Sequence, residues 1–98
     1  MKQQHLLTPD LRQALPALYS QEHVPDPLVR AKFFTPDASW TWYALEFDGE
    51  DLFFGLVDGH EQELGYFRLS ELEHSKGHFG LHIERDEHFT PCPLSTVR

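Results

Sequence analysis

The chain reads as an α+β domain: a four-stranded antiparallel meander sheet packed on an N-terminal helix, with a short second helix and an irregular C-terminal tail. Three observations lead there. A run rich in aromatic and branched residues over 40–48 has strand composition. Two dipeptides, Asp48-Gly49 and Asp58-Gly59, are hairpin signals that separate such runs. Ahead of them, Leu11, Leu15, Leu18 and Tyr19 recur at helical spacing. At 98 residues there is room for one core, so residues 1–98 are read as a single domain.

The first helix starts at Thr8, a side-chain cap, with Pro9 at the first helical position and Asp10 on the positive end of the helix dipole. Pro16 lacks an N–H and clashes with the preceding turn, so the helix stops near Leu15 and residues 17–19 form a tight final turn. Residues 20–27, with two prolines, form a loop. Strands are expected over 29–34, 40–48, 52–57 and 64–69. Ser70-Glu71-Leu72-Glu73 has the form of a capping box, opening a helix that runs to about Lys76 and ends at Gly77. Residues 81–85 form a short extended piece, and Pro91 and Pro93 bar the tail from a central strand.

Strict alternation places Tyr43, Leu45, Phe47, Leu52, Phe54 and Leu56 on one face, the expected core under the first helix. A two-residue turn at Asp48-Gly49 would oppose Glu46 and Asp51, a like-charge pair. A four-residue loop over 48–51 avoids this and pairs Phe47 with Leu52 and Leu45 with Phe54. The other face carries Trp40, Trp42, Phe53 and Val57, too apolar to lie bare. Either the tail (Phe79, Leu81, Ile83, Phe89) folds over it, or it docks a partner.

Charge is the most unusual feature. The net charge is −8, which disfavours direct binding to nucleic acid or an anionic membrane. Between Lys32 and Arg68 there is no Lys or Arg. That interval holds Asp37, Glu46, Asp48, Glu50, Asp51, Asp58, Glu61 and Glu63, half of the 16 acidic residues. Glu46 and Asp48, two apart on a strand, are spaced by roughly 6.6–6.8 Å, and a ridge of carboxylates so spaced imitates a phosphate backbone. The competing reading is a solvated acidic rim that blunts sheet edges. The hairpin loop lacks the full calcium-loop pattern.

Other chemistry is thinly represented. Of seven histidines, His74, His78 and His82 have metal-stripe spacing and, with Glu71, raise a zinc or nickel site, but Gly77 and Gly80 interrupt the helix that would align them. No metal and no cofactor is therefore expected. Cys92, the single cysteine, excludes an intramolecular disulfide and lies between two prolines without a base beside it. Ser39, Ser70 and Ser75 sit in turn or cap contexts, with no nucleophile elbow and no phosphate-binding glycine loop. No apolar run approaches the ~20 residues of a membrane span, and the N-terminus lacks a signal-peptide pattern, so a cytoplasmic location is expected.

The segments Phe33-Phe34-Thr35-Pro36-Asp37, Trp40-Thr41-Trp42-Tyr43, Glu46-Phe47-Asp48-Gly49-Glu50-Asp51, Phe53-Phe54-Gly55-Leu56-Val57, Glu63-Leu64-Gly65-Tyr66-Phe67 and Leu69-Ser70-Glu71-Leu72 together resemble a bacterial domain-of-unknown-function family. Leu7-Thr8-Pro9-Asp10-Leu11 and Ile83-Glu84-Arg85-Asp86 extend the likeness over nearly the whole chain. The resemblance implies carriage on plasmids, conjugative elements and phage, and brings no catalytic residues with it.

The expected function is non-enzymatic binding. Glu46, Asp48, Glu50, Asp51, Asp58, Glu61 and Glu63 would supply charge, and Trp40 and Trp42 apolar anchoring, toward a basic protein or nucleic-acid-binding complex. A host defence complex blocked at its DNA site (anti-CRISPR or anti-restriction activity by DNA mimicry) fits the mobile-element setting. Charge reversal at Glu50 and Asp51 should then weaken binding without unfolding the domain. The alternatives are a general protein-interaction module or homodimer, through an edge strand or the aromatic face, and a metal-dependent enzyme.

Overall fold

The computed structural model describes residues 5–77 and 79–98. The described elements follow in the order α1 (Pro9–Ala14), β1 (Leu28–Val29), β2 (Ala31–Phe34), β3 (Thr41–Phe47), β4 (Leu52–Asp58), β5 (Gln62–Arg68), α2 (Leu69–His74), β6 (Glu84–Arg85), β7 (Cys92–Pro93) and α3 (Leu94–Val97). The fold is α+β, and β2 to β5 form the expected antiparallel meander. The sheet has a fifth strand, because β6 adds to the free side of β2 and gives the order β5-β4-β3-β2-β6. The tail is likewise more regular than expected. β7 pairs with β1 in a separate two-stranded sheet, and the chain ends in α3.

Local chemistry accounts for the helix limits. Thr8 caps α1 through its hydroxyl, which accepts from the Leu11 N–H at 3.2 Å, and the helix ends one residue before Leu15. α2 departs from the expected capping box. It begins at Leu69, and its first N–H groups are satisfied by Asp51 across the sheet rather than by its own residues. It ends at His74, short of Gly77.

The register of the central hairpin decides the core. From Thr41 to Ala44 the pairing places Tyr43 opposite Leu56; beyond a bulge between Ala44 and Glu46 it shifts by one, so that Phe47 faces Phe53 and Glu46 faces Phe54. The expected Phe47–Leu52 and Leu45–Phe54 pairs do not form. One extra residue in a strand inverts the alternation beyond it. Phe47 therefore joins Phe53 on a single face. There Phe53, with no solvent exposure, packs against Phe47, Phe67 and Phe33 at ring-centre distances of 4.5, 5.1 and 5.6 Å.

The covers of the two faces are exchanged relative to expectation. Leu6, Leu11 and Leu15 from the α1 region, Leu69 and Leu72 from α2, and Ile83 cover the Phe53 face. Val29, Leu94, Val97 and Phe89 cover the Tyr43, Leu45 and Leu56 face. The tail residues grouped together from sequence thus divide. Ile83 enters the main core, Phe89 packs near Tyr43 on the opposite side, and Phe79 and Leu81 stay exposed.

Removing the ring at the centre of this cluster tests the assignment. Phe53→Ala should cost about 3–5 kcal/mol in urea unfolding. A shift no larger than that of an exposed-residue substitution would place the core elsewhere.

Candidate functional site

The nine side chains singled out from sequence fall at two ends of the sheet. β4 runs seven residues between them, roughly 20 Å of strand. Glu46, Asp48, Glu50 and Asp51 lie at the β3–β4 end; Asp58, Glu61, Glu63, Trp40 and Trp42 lie at the β4–β5 end. They do not form one continuous carboxylate ridge.

At the first end most of the negative charge is committed to the fold. The bulge puts Glu46, 4% exposed, on the Phe54 face, where its carboxylate meets the turn after α1. Its two oxygens accept from the N–H groups of Tyr19 at 2.9 Å and Gln21 at 2.8 Å. Tyr19 has a φ of 69°, a left-handed conformation uncommon for a side chain of its size, and this bond helps to hold it. Asp48 folds back on its own loop, accepting from the N–H groups of Glu50, Asp51 and Leu52 at 2.8 to 3.0 Å. Gly49 supplies the positive φ, 91°, that this loop requires. Asp51 accepts from the Ser70 N–H at 2.8 Å and hydroxyl at 2.9 Å, and meets Arg68 at 3.5 Å. The Glu50 N–H, first among its donors, holds the Asp48 carboxyl below the usual range, and the Ser70 N–H does the same for Asp51. Glu50 stands exposed at this end.

The second end is differently built. Thr35, buried, closes the β2–β3 turn: its N–H donates to the Trp40 carbonyl at 3.0 Å, and its hydroxyl accepts from the Trp40 N–H at 3.1 Å. Trp40 is thereby fixed two residues before Trp42, and the half-buried indoles stack at 6.1 Å with their planes 27° apart. The His60 ring meets Trp40 edge-on at 5.5 Å. Gly59 lies under the Trp40 ring, where any side chain would collide with it. Cross-strand pairing sets Glu63, Val57, Trp42 and Phe33 in one row, so Glu63 shares the face of the aromatic step and is separated from Trp42 by Val57. Glu61 is exposed at the turn, and Asp58 accepts from the Gln62 amide at 3.2 Å.

A third segment reaches this end. The Asp37 carboxylate accepts from the Phe79 N–H at 2.6 Å and the Leu81 N–H at 3.4 Å, which pins the loop after α2 beside the β2–β3 turn. Gly77 packs against the same carboxylate with no space for a side chain. Phe79 and Leu81 are 79% and 48% exposed. Sequence reading missed His60, and it placed Phe79 and Leu81 in a cover rather than at an exposed edge. The signal available for His60 was its position at the tip of the Asp58-Gly59 turn, next to the start of β3.

A cavity of about 230 Å³ lies beside the start of β2, between the start of α1 and β6, lined by Thr8, Leu11, Arg30, Arg85, Asp86 and Phe89 among others. The Arg30 Nε is buried there without a hydrogen-bond partner, whereas Arg85 donates to the carbonyls of His5 and Leu6. Among the described residues no group of three His, Cys, Asp or Glu side chains is placed to hold a metal ion. His78 lies outside the described residues, so the full histidine spacing is not represented there. No described helix is long and apolar enough to cross a membrane.

Residues 6–97 match the model of a family described as a protein of unknown function (DUF2958), and the chain belongs to that family. No curated protein and no solved structure matches it.

Two outcomes follow from the first end. Glu46→Ala leaves two N–H groups without an acceptor and should lower folding stability by about 2–4 kcal/mol in chemical denaturation. An unchanged midpoint would refute the structural role. Asp48 and Asp51 have depressed folded-state pKa values, so the stability they contribute is present above the unfolded carboxylate pKa of about 4 and is lost as pH falls through the lower folded values. Asp51→Asn should therefore flatten the acid limb of a stability–pH curve and leave its neutral limb parallel to wild type.

Proposed function

We propose that this domain is a non-enzymatic binding protein that docks a basic protein surface through the β4–β5 end of its sheet. The supporting observation is a fixed, half-exposed Trp40–Trp42 step at a sheet end that carries Glu63 on the same face and Glu61 at the adjoining turn, with Asp58 on the opposite face. Tryptophans held rigid in advance lose little entropy on binding and dominate interface energetics. Surrounding carboxylates select for positive charge and accelerate encounter. His60, Phe79 and Leu81 extend the apolar ground of the same end.

The partner class that fits is a protein whose basic surface normally holds nucleic acid. A mobile-element setting, as the sequence resemblance implies, would make a host defence complex such a partner, and occupation of its DNA site the mode of inhibition. The geometry favours an aromatic anchor with an acidic rim over a phosphate-spaced ridge. Glu46 is buried, and Asp48 and Asp51 already accept several internal bonds each. The Glu50 and Asp51 reversal expected to report binding is therefore a poor probe, because Asp51 also satisfies the start of α2.

The test is affinity capture from the host with wild type and three variants, at low and high salt. Trp40→Ala should weaken capture by about 30-fold, corresponding to a hot spot of about 2 kcal/mol. The double variant Glu61→Lys and Glu63→Lys should slow association by about tenfold at low salt, with the difference shrinking as salt rises. Glu50→Lys, at the far end, should bind as wild type. Duplex DNA added in excess should compete. Capture indifferent to Trp40 and to both glutamates would remove the proposal.

A further inference from the structure

The long free edge of the sheet belongs to β5, and we propose that it pairs antiparallel with the β5 edge of a second copy of this chain, about a two-fold axis at Gly65. The proposal shares Glu61 and Glu63 with the aromatic end but rests on the backbone of β5, and it does not depend on that end binding a partner.

The direction of the backbone groups comes from two hydrogen bonds at the ends of the β4–β5 ladder. Leu69 donates to the Asp51 carbonyl at 2.8 Å, and Gly59 donates to the Glu61 carbonyl at 3.2 Å. Both lie in the register that pairs Gly55 with Gly65. In an antiparallel ladder, hydrogen-bonded and non-bonded pairs alternate. Glu63, Gly65 and Phe67 therefore bond inward to β4, and Gln62, Leu64, Tyr66 and Arg68 turn their N–H and C=O groups outward. Among the described residues these outward backbone groups have no strand partner, so four residues present a row of donors and acceptors. The usual protections of an edge are lysine, proline, a bulge or a covering segment. β5 contains no lysine or proline, and its pairing with β4 is unbroken over seven positions. The opposite edge, β6, has two residues.

The occupant is indicated by self-complementarity. An inter-copy ladder can bond only between residues that face outward on both copies. A two-fold axis at Gly65 meets that condition and uses all four, opposing Leu64 to the partner's Tyr66 and Gln62 to the partner's Arg68. Gly65 meets its own copy at a non-bonded position, where Cα atoms approach to about 4.5 Å. A Cβ added at Gly65 would meet nothing within its own chain, so the space on its flank is open. Leu64 and Tyr66, 41% and 52% exposed, share one face, and the Tyr66 ring packs against Phe54 at 5.1 Å with the planes tilted by 59°. Pairing makes these two apolar side chains continuous across the junction. Charge agrees with the antiparallel sense. The strand begins beside Glu61 and Glu63 and ends at Arg68, so each copy's basic end lies along the other's acidic end. A parallel arrangement would align like with like.

Sedimentation of the full chain across a concentration series, with amide hydrogen exchange, tests this. The mass should rise from 11.4 kDa toward twice that value. The amides of Gln62, Leu64, Tyr66 and Arg68 should exchange about tenfold more slowly at the dimeric concentration than at the monomeric one. Leu64→Pro removes an outward N–H and no bond to β4, and should hold the chain monomeric. Leu64→Lys keeps the backbone intact, guards the edge by charge, and should do the same if the proline variant fails to fold. A chain that stays monomeric up to about 1 mM would overturn the proposal. So would a dimer that survives Leu64→Lys while those four amides exchange freely, since it would use another surface or another strand pairing.

Discussion

The bulge between Ala44 and Glu46 is the constraint on which the rest of the domain depends. One additional residue in β3 turns Phe47 toward Phe53 and puts Glu46 opposite Phe54 on the other face, where it is buried. The first consequence builds the phenylalanine cluster that α1 and α2 cover. The second supplies a buried carboxylate whose two oxygens hold the Tyr19 and Gln21 N–H groups, and so anchor the turn that follows α1. Helix placement and hairpin register are set together by a single irregularity. A regular hairpin would put Phe47 on the opposite face from Phe53 and leave α1 without its cluster.

Acidic residues in this protein serve two purposes that composition does not separate. Asp37, Glu46, Asp48 and Asp51 act as acceptors for backbone N–H groups at places where the chain leaves regular structure. A carboxylate has acceptor capacity to spare and forms charge-assisted bonds, which suits it to satisfying several N–H groups in a tight loop. Each of the four joins segments distant in sequence or closes a turn. Glu50, Glu61 and Glu63, exposed and without such duties in the described hydrogen bonds, give the surface its negative field.

The sheet consequently has ends and an edge of different character. Its β4–β5 end combines a fixed indole pair with carboxylates. Its β3–β4 end is closed by internal bonds and capped by Arg12, whose guanidinium lies over Phe47 and donates to the Gly49 carbonyl. Its β5 edge carries outward backbone groups beside exposed Leu64 and Tyr66. The residues of the aromatic end and the outward-facing residues of the β5 edge are distinct, so a self-paired chain would still present two aromatic ends.

Local chemistry was legible in the residues themselves. Thr8-Pro9 starts α1, Pro16 limits it, and the two Asp-Gly pairs divide the meander into strands whose centres were recognisable. The family likeness was legible too, since it is carried by contiguous motifs. Other features escaped because they join residues far apart in sequence. The shift at residue 45 leaves no mark on a period-two pattern, so Phe47 was assigned to the wrong face, and the covers of the two faces come from segments distant in sequence. Glu46 looked like any strand carboxylate until the turn at residues 19–21 came to meet it. By itself the sequence determined the class of fold, the strand order of the meander and the sign of the surface. Only the folded chain decided which carboxylates are consumed and which aromatic rings meet, because both depend on contacts that no local pattern encodes.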